Sequence, residues 1–486
     1  MKKHKSTIIF VIINFLIKAG SFLLTLFYWK YLTLSDFGIL SLGIVFNELM
    51  LSFFILGLDS TILRHYQEWG ICNRKEKVGF FWTISIISSL LITLILVCFY
   101  KYFTVKYFID IKYETIFLIN LITLLFNSIS IIPFTLLRIK NEIFKFSVVS
   151  LFNFVLNTVI SIVLLIYFNL GVLSIFISRL IVEAIFIFYW IFILKNEVTP
   201  NLNFLNNKLE LKYSLPNLFN SILSSFSATL DRLLLKSKID LGSLGLYQLS
   251  KNFSSVLSIF AQSLKSNYFP FIYEHVNKND FRNKILPKYE LLYFFSLTIV
   301  ALSFSLFFMD IIRLINRPKY FSVAEYIPFF ILGYLFHYAE AFLARGTDLN
   351  KKTHFDLVFN IFNLIIVSIA SWFLINNYGL QGAMYSFLII NIFVSFIKII
   401  LSHLIFKRPF LLKKFLLLIL IFSIFFSLNI SYKIQNIYIS LAVKFIITVS
   451  YSIIVYLILL GKQAFLDLII YLYHKLLNLH YEKNIT

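Results

Sequence analysis

The chain has 486 residues, of which 59% are hydrophobic and 14% are charged, and its mean hydropathy is +0.85. Soluble domains of this size are far less apolar, so the composition excludes a soluble globular protein. The formal net charge of +21 makes a nucleic-acid partner worth testing, but the positions of the charges argue against one.

The apolar pattern predicts an all-α integral membrane protein with about fourteen transmembrane helices, because a span needs about 20 apolar residues. The predicted spans cover residues 8–30, 39–59, 80–100, 115–137, 146–168, 171–194, 214–236, 246–270, 290–310, 326–344, 357–376, 380–405, 412–432 and 437–460. The loops between them are short and leave no room for a soluble domain.

Basic residues are distributed unequally over alternate loops. With the N-terminus inside, the inner loops and tails hold 27 Lys and Arg residues, and the outer loops hold 10. This excess follows the positive-inside rule, so both termini are predicted to be cytoplasmic. The positive charge therefore reflects orientation in the membrane, and we expect no nucleic-acid partner.

Lys18 lies in the middle of the first predicted span. A cation at this depth costs several kcal/mol unless it faces a partner or a wet cavity. At 100° per residue, Asn14, Lys18, Ser21 and Thr25 share one face of the helix. The pattern predicts that this polar face of span 1 lines a cavity.

Span 2 carries a similar ladder, in which Ser41, Glu48, Ser52 and Asp59 share one face. Two later spans repeat the pattern. The aligned residues are Asn217, Ser221, Ser224 and Asp231 in span 7, and Lys251, Ser254, Ser258, Gln262 and Lys265 in span 8.

We expect these four spans to line a shared hydrated cleft. Some of their polar residues could instead pack between helices or face the membrane interface. Serine and asparagine stripes also pack helix against helix in membranes. Lys251 and Lys265 lie nearer the ends of their span and could extend toward the interface. Arg232, adjacent to Asp231 and near an outer end, is expected to reach lipid headgroups.

An internal repeat relates the two halves. The segment Leu34-Ser-Asp-Phe-Gly38 matches Leu241-Gly-Ser-Leu-Gly245 at an offset of 207 positions, and Arg138 matches Arg345 at the same offset. Six spans per copy predict a parallel repeat. The predicted domains are two six-helix lobes, 1–205 and 206–406, followed at 407–486 by two extra spans and an interfacial amphipathic tail.

The sequence holds no phosphate-binding glycine loop and no nucleophile elbow. Its outer loops are too short for the external domain of a membrane polymerase. We therefore expect a protein that is not an enzyme, with no catalytic residues, no cofactor and no metal.

Several motifs resemble those of a known family. Asp231-Arg232-Leu-Leu-Leu and Leu244-Gly245-Leu-Tyr247, after Pro216, resemble the second-half signature of the polysaccharide-unit flippases. The first half is similar in the Leu34 segment, in Gly57-Leu-Asp59 with Arg64, and in Pro133-Phe-Thr-Leu-Leu-Arg138. This family belongs to a superfamily that also contains multidrug and toxin extruders and lipid II flippases.

The resemblance implies a V-shaped pair of six-helix bundles in the bacterial cytoplasmic membrane. Such proteins move undecaprenyl-diphosphate-linked oligosaccharides, such as O-antigen or capsule repeat units, to the outer leaflet. Cationic cavity residues would meet the pyrophosphate, and polysaccharide polymerase and chain-length proteins would be partners, together with membrane lipids. One departure is that the expected cleft also holds carboxylates.

The leading hypothesis is a flippase that works by alternating access. Its candidate substrate-binding residues are Lys18, Asn14, Lys251, Lys265 and Arg64, and its candidate ion-coupling or charge-balancing residues are Glu48, Asp59 and Asp231. One alternative is a cation-coupled multidrug antiporter of the same fold, in which carboxylates would dominate the cleft. A second is a membrane polysaccharide ligase or polymerase.

Overall fold

A computed structural model describes residues 2–108, 110–140, 142–195, 198–204, 207–275, 278–315, 318–349, 354–407, 409–431 and 436–461. These residues are almost entirely helical and include no strand. The helices are α1 (Lys2–Tyr28), α2 (Leu34–Ile55), α3 (Leu58–His65), α4 (Ile71–Cys98), α5 (Tyr100–Phe108), α6 (Glu114–Ile139), α7 (Ile143–Ile166), α8 (Leu173–Leu194), α9 (Lys208–Leu235), α10 (Leu241–Ser254), α11 (Leu257–His275), α12 (Leu286–Ile315), α13 (Phe321–Leu343), α14 (Gly346–Leu349), α15 (His354–Ile405), α16 (Leu412–Ser431) and α17 (Ile437–Leu460).

The predicted all-α membrane fold is confirmed. In the described residues, nine helical segments are long and apolar enough to cross a membrane. One of them, Val358–Ile405, contains two predicted spans. Predicted spans 1, 7, 8 and 13 fall outside these segments, so the count of fourteen is approximate. All four contain charged residues, which lower the mean hydropathy of a span, and the described apolar helix of span 1, Ile12–Tyr28, is shorter than the nine.

Two predicted spans are interrupted. Span 2 ends as a helix at Ile55, and Leu56 and Gly57 adopt positive φ values of 56° and 69°, so Asp59 belongs to α3. Span 8 divides into α10 and α11 at residues 255–256. Ser254 Oγ donates to the Ile327 carbonyl of α13 at 3.3 Å near this break.

The long helix α15 confirms a predicted turn. Gly379 has φ 53° and ψ −125°, which interrupts the helix between predicted spans 11 and 12. A side chain at this position would strain the backbone, because positive φ favours glycine.

Contacts divide the chain into two compact units. Unit 1 comprises Met1–Phe253 and His354–Ile390, and unit 2 comprises Ser254–Thr353 and Asn391–Thr486. The predicted domains 1–205, 206–406 and 407–486 follow the sequence repeat instead of these contacts, and they stay a prediction. The predicted interfacial helix of the tail lies outside the described residues.

Within unit 1, α2 and α10 begin in the same way at positions 207 residues apart. Thr33 caps α2, accepting from the Asp36 backbone N–H at 3.2 Å while its own N–H donates to Asp36 Oδ2 at 2.8 Å. Asp240 precedes α10 and accepts from the Ser243 N–H at 3.0 Å. The acid and the hydroxyl have exchanged places between the two copies, and both satisfy the open N–H groups of a helix start.

The two helix starts also contact each other reciprocally. A Cβ at Gly38 would lie 2.1 Å from the Leu241 carbonyl oxygen, and one at Gly245 would lie 1.8 Å from the Leu34 carbonyl oxygen. Each contact maps onto the other by the 207-residue offset. Reciprocal contacts of this kind are the signature of a twofold relation, so they support the predicted repeat.

The first turn of α9 contacts Trp69, which lies between α3 and α4, and Lys77 of α4. Glu210 accepts a hydrogen bond from Trp69 Nε1 at 3.1 Å and pairs with the Lys77 ammonium. Burial disfavours the charged carboxylate, but the bonds from Lys77 and Trp69 outweigh it and hold the pKa of Glu210 below its ordinary value. This contact therefore favours an ionised carboxylate.

Unit 2 is organised around α12, which packs against α13, α16 and α17. Asp310 of α12 is fully buried, and it accepts from Lys444 Nζ at 2.7 Å and Ser440 Oγ at 2.9 Å, both on α17. This pairing satisfies a lysine that lies inside the last span and helps to hold α17 against α12.

Candidate functional site

The polar faces of α2 and α9 line a common cavity of about 370 Å³ within unit 1. Ser52 Oγ and Ser225 Oγ lie 3.2 Å apart across the two helices, and Asn360 Nδ2 of α15 donates to Asn220 Oδ1 at 2.8 Å. The lining residues are Glu48, Leu51, Ser52, Ile55, Gly57, Asp59, Asn220, Ser221, Ser224, Ser225 and Asn360. Of the four spans predicted to share a cleft, spans 2 and 7 meet at this cavity, whereas no described residue of spans 1 and 8 belongs to its lining.

The chemistry of this lining is specific. Its described residues supply hydroxyl groups, amide groups and two carboxylates, and none of them has a basic side chain. Hydroxyl and amide groups both donate and accept hydrogen bonds, so they can replace the water around a polar ligand such as a sugar. Carboxylates accept only, and they also attract cations.

Glu48 extends from the cavity into a buried ion network. Arg232 Nη2 of α9 donates to Glu48 Oε2 at 2.8 Å, and Arg232 Nη1 donates to Gln248 Oε1 at 3.2 Å. Ser41 Oγ donates to the same Gln248 oxygen at 3.0 Å. The Arg232 side chain is only 4% exposed, whereas that of Glu48 is 44% exposed.

Arg232 was therefore placed wrongly by the sequence argument, which put it near headgroups. Its distance from the end of span 7 was the only basis for that prediction. Two signals could have located it. Glu48 lacks a cation on its own helix, and Ser41 and Gln248 occupy equivalent positions of the repeat, so α2 and α10 meet there.

Asp231 and Lys251 form a second part of this network. Lys251 Nζ lies 2.7 Å from Asp231 Oδ2, with 13% and 10% of the two side chains exposed. Tyr247 also donates to Asp231, and Lys251 Nζ lies 5.1 Å from the ring centroid of Phe387. Lys251, a predicted substrate-binding residue, is thus neutralised by the predicted charge-balancing residue Asp231.

Lys18 and Asn14 lie on α1 and are not part of the cavity lining. Lys18 is half-buried. Gly20 faces α7, where its Cβ would meet the Phe154 ring at 2.8 Å. Lys18 lies about 200° around the helix from Gly20 and one turn from Phe22, whose ring contacts Phe253 of α10 at 5.0 Å. Lys18 therefore lies on the side of α1 that faces α10.

The remaining predicted residues are separated. Asp59 lines the cavity. Arg64 is exposed at the end of α3 and pairs with Glu68 at 2.7 Å. Lys265 belongs to unit 2, where it is half-buried and close enough to Arg345, Lys398 and Glu340 for their charges to interact. No group of three His, Cys, Asp or Glu residues suited to a metal occurs among the described side chains.

Comparisons with known proteins place these features in a family. A family model described as "Polysaccharide biosynthesis protein" matches residues 30–309. A comparison with curated proteins finds no match.

Solved structures share the fold. The structure entitled "Lipid II flippase MurJ, inward closed conformation" matches with a TM-score of 0.73 and 19% identity, covering 95% of this chain and all of that one. A mutant of the Vibrio cholerae MATE transporter VcmN matches with a TM-score of 0.55 and 14% identity, covering 83% of this chain and 95% of that one. A MATE transporter in complex with MaD3S matches with a TM-score of 0.56 and 15% identity, over 83% and 96% of the two chains.

At these identities the structural matches establish the fold alone. The family model, in contrast, covers more than half of the chain. This multi-pass membrane protein, with the fold of MurJ and the MATE transporters, therefore belongs to the polysaccharide biosynthesis protein family.

Proposed function

We propose that the protein is a flippase that moves undecaprenyl-diphosphate-linked oligosaccharide units, such as O-antigen or capsule repeats, across the bacterial cytoplasmic membrane. Both termini are cytoplasmic in this proposal, and movement occurs by alternating access. The observation that carries it is the polar cavity between α2, α9 and α15 in a membrane-spanning chain of the polysaccharide biosynthesis family. Such a cavity suits sugars, which carry many hydroxyl groups.

The charged residues divide the remaining tasks. Lys18, supported by Asn14, attracts the pyrophosphate from the α10-facing side of α1. Lys265 acts as a second cationic contact, and Arg64 guides the substrate at an exposed helix end. Lys251 becomes available only when its pair with Asp231 opens, so Asp231, Glu48 and Asp59 set the charge balance or couple transport to an ion. Polysaccharide polymerase and chain-length proteins would receive the product.

The first test is Lys18→Ala, with Lys30→Ala as the matched control, because Lys30 is an exposed lysine just beyond α1. In a strain that depends on this protein, surface polysaccharide should fall about tenfold or more for Lys18→Ala, since a charge-assisted contact contributes about 1.5–3 kcal/mol. The control should export normally. Normal export by Lys18→Ala at equal expression would remove Lys18 from the mechanism.

A second candidate is a cation-coupled multidrug antiporter. The observation that favours it is the cavity lining, whose described residues include Glu48 and Asp59 but no basic side chain. This function predicts that expression in a drug-sensitive strain accelerates efflux of a cationic dye, and that Glu48→Gln with Asp59→Asn abolishes it. If dye efflux equals that of an empty vector while polysaccharide export is intact, the antiporter function is rejected and the flippase function is retained.

A further inference from the structure

Three cations and one carboxylate lie close together inside unit 2, whereas the polar cavity belongs to unit 1. Lys398 Nζ of α15 lies 2.8 Å from Glu340 Oε1 of α13, and Ser395 Oγ donates to Glu340 Oε2 at 3.2 Å. Lys265 of α11 interacts electrostatically with Glu340, Lys398 and Arg345. Both oxygens of the carboxylate are thus engaged, and Lys265 is close enough to two other cations for their repulsion to act on it.

Two of these cations lie at or near the C-terminal ends of their helices, and the third lies near the inner end of predicted span 8. Arg345 follows α13, which ends at Leu343. Lys398 lies seven residues before the end of α15. Lys265 lies in the middle of α11 but only five residues before the inner end of predicted span 8. These three ends lead into loops that the distribution of basic residues places on the cytoplasmic side. The cluster therefore lies near the predicted inner surface of the membrane.

An aromatic wall borders the cluster. The Phe342 ring stacks on the Tyr293 ring at 4.1 Å, and the Tyr268 ring lies 6.3 Å from Phe342. Tyr268 is three residues after Lys265 and shares its face of α11. Tyr293 is itself buried and donates to the Tyr338 carbonyl at 3.1 Å. Rings on this side reduce contact with water, which strengthens the attraction of the cations for an anion.

The positive-inside rule explains basic residues in the cytoplasmic loops. It does not explain three half-buried cations close to one carboxylate. The positive charges of these side chains repel each other, and the repulsion is stronger where little water screens it. An anion with several acceptor oxygens relieves that repulsion, and Arg with Lys is the combination that binds phosphate groups. Basic pockets between helices on the cytoplasmic side of membrane proteins bind phosphate-bearing lipid headgroups.

We propose that Lys265 and Arg345 form a binding site in unit 2 for the phosphate group of a lipid headgroup, and that the Glu340–Lys398 pair positions it. The ligand chemistry is a phosphate or diphosphate ester attached to a lipid chain. Two lipids offer it, namely the diphosphate-linked substrate and the anionic phospholipids of the bilayer. For the first source the inference rests on the proposed function; for the second it does not.

Binding to the purified full-length protein in detergent tests the site without requiring transport. The probes are undecaprenyl diphosphate, phosphatidylglycerol and, as the uncharged control, a diacylglycerol of matched chain length. We expect undecaprenyl diphosphate or phosphatidylglycerol to bind, and binding to weaken as salt is raised. Lys265→Ala and Arg345→Ala should each weaken it about tenfold or more, whereas Lys265→Arg should retain it, because the charge is kept.

Lys284→Ala is the matched control, since Lys284 is an exposed lysine of the same unit on the same predicted side. It should bind like the parent protein, and a thermal unfolding scan of each variant checks that it is folded. Tighter binding of undecaprenyl diphosphate assigns the site to the substrate; equal or tighter binding of phosphatidylglycerol assigns it to resident lipid. Binding that is absent, or that is unchanged in both alanine variants, overturns the proposal, even if polysaccharide export proceeds.

Discussion

Asp231 should be the most sensitive carboxylate of the ion network. It lies 2.7 Å from Lys251 Nζ and 3.7 Å from Arg232 Nε, and its side chain is 10% exposed. Asp231→Asn leaves two buried cations opposite Glu48 alone. Breaking a buried pair in this way costs about 3–5 kcal/mol, because a buried charge loses its compensation.

Glu48→Gln provides the comparison. The Glu48 carboxylate is 44% exposed, so water and salt screen its pair with Arg232, and its removal should cost about 1 kcal/mol or less. Arg232 would keep its contacts with Asp231 and Gln248. The two carboxylates contact the same arginine, so the difference between them reports on burial.

The assay is the free energy of unfolding in mixed detergent micelles, together with a rescue variant. Lys251→Met added to Asp231→Asn removes one uncompensated cation and keeps the side-chain volume, so it should recover most of the loss. The reasoning is refuted if Asp231→Asn costs no more than Glu48→Gln, or if Lys251→Met adds its own loss to that of Asp231→Asn.

Two further predictions concern helix contacts. Gly38→Ala and Gly245→Ala should each destabilise the protein by about 1–3 kcal/mol, because each Cβ would collide with a backbone carbonyl; Gly70→Ala, with open space around its Cβ, should be nearly neutral in the same unfolding assay, and similar values for all three would refute the close approach. The Glu210 pair should make stability fall in acid: because its pKa lies below the ordinary 4.5, its contribution is complete above that pH and is lost as the pH falls through the lower value. A Lys77→Met variant should lose much of that acid-dependent step, and an unchanged pH profile would show that the pair contributes nothing.

The sequence was informative wherever periodicity alone decides the structure. The polar ladders of spans 2 and 7 follow the helical repeat, so their meeting at one cavity could be anticipated. The breaks at Leu56 and at residues 255–256 could not, because serine and leucine are compatible with a continuous helix until a tertiary contact decides.

Ion pairs between residues far apart in the sequence were the second feature that could not be predicted. Arg232 and Glu48 are 184 positions apart, and only the absence of a cation on α2 and the repeat offset indicate that they meet. Lys251 was predicted to bind substrate or to extend toward the interface. Its pair with Asp231 depends on how α9 and α10 cross, which the sequence does not show. The roles given to Lys18 and Lys265 stay predictions, since they concern a ligand.

The reciprocal contact between the two repeat copies has a consequence for how a ligand is held. Ser41 and Gln248 occupy equivalent positions and bond to each other. If the two copies were separate identical chains related by a twofold axis, the residue at this position would face the identical residue of the other chain, for example serine against serine. Joining both copies in one chain allowed the two positions to diverge into a donor and an acceptor.

The two copies of the repeat differ more strongly at the positions of the ion pair between Glu48 and Arg232. The positions equivalent to Glu48 and Arg232 by the 207-residue offset are Ser255 and Thr25, which carry no charge. A site with exact twofold symmetry would bind an elongated ligand equally well in two opposite orientations. If only one orientation allowed transport, half of all binding events would be unproductive. An ion pair that has no charged counterpart at the equivalent positions makes those poses unequal in energy, so a nearly symmetric scaffold can accept an asymmetric molecule in a single orientation.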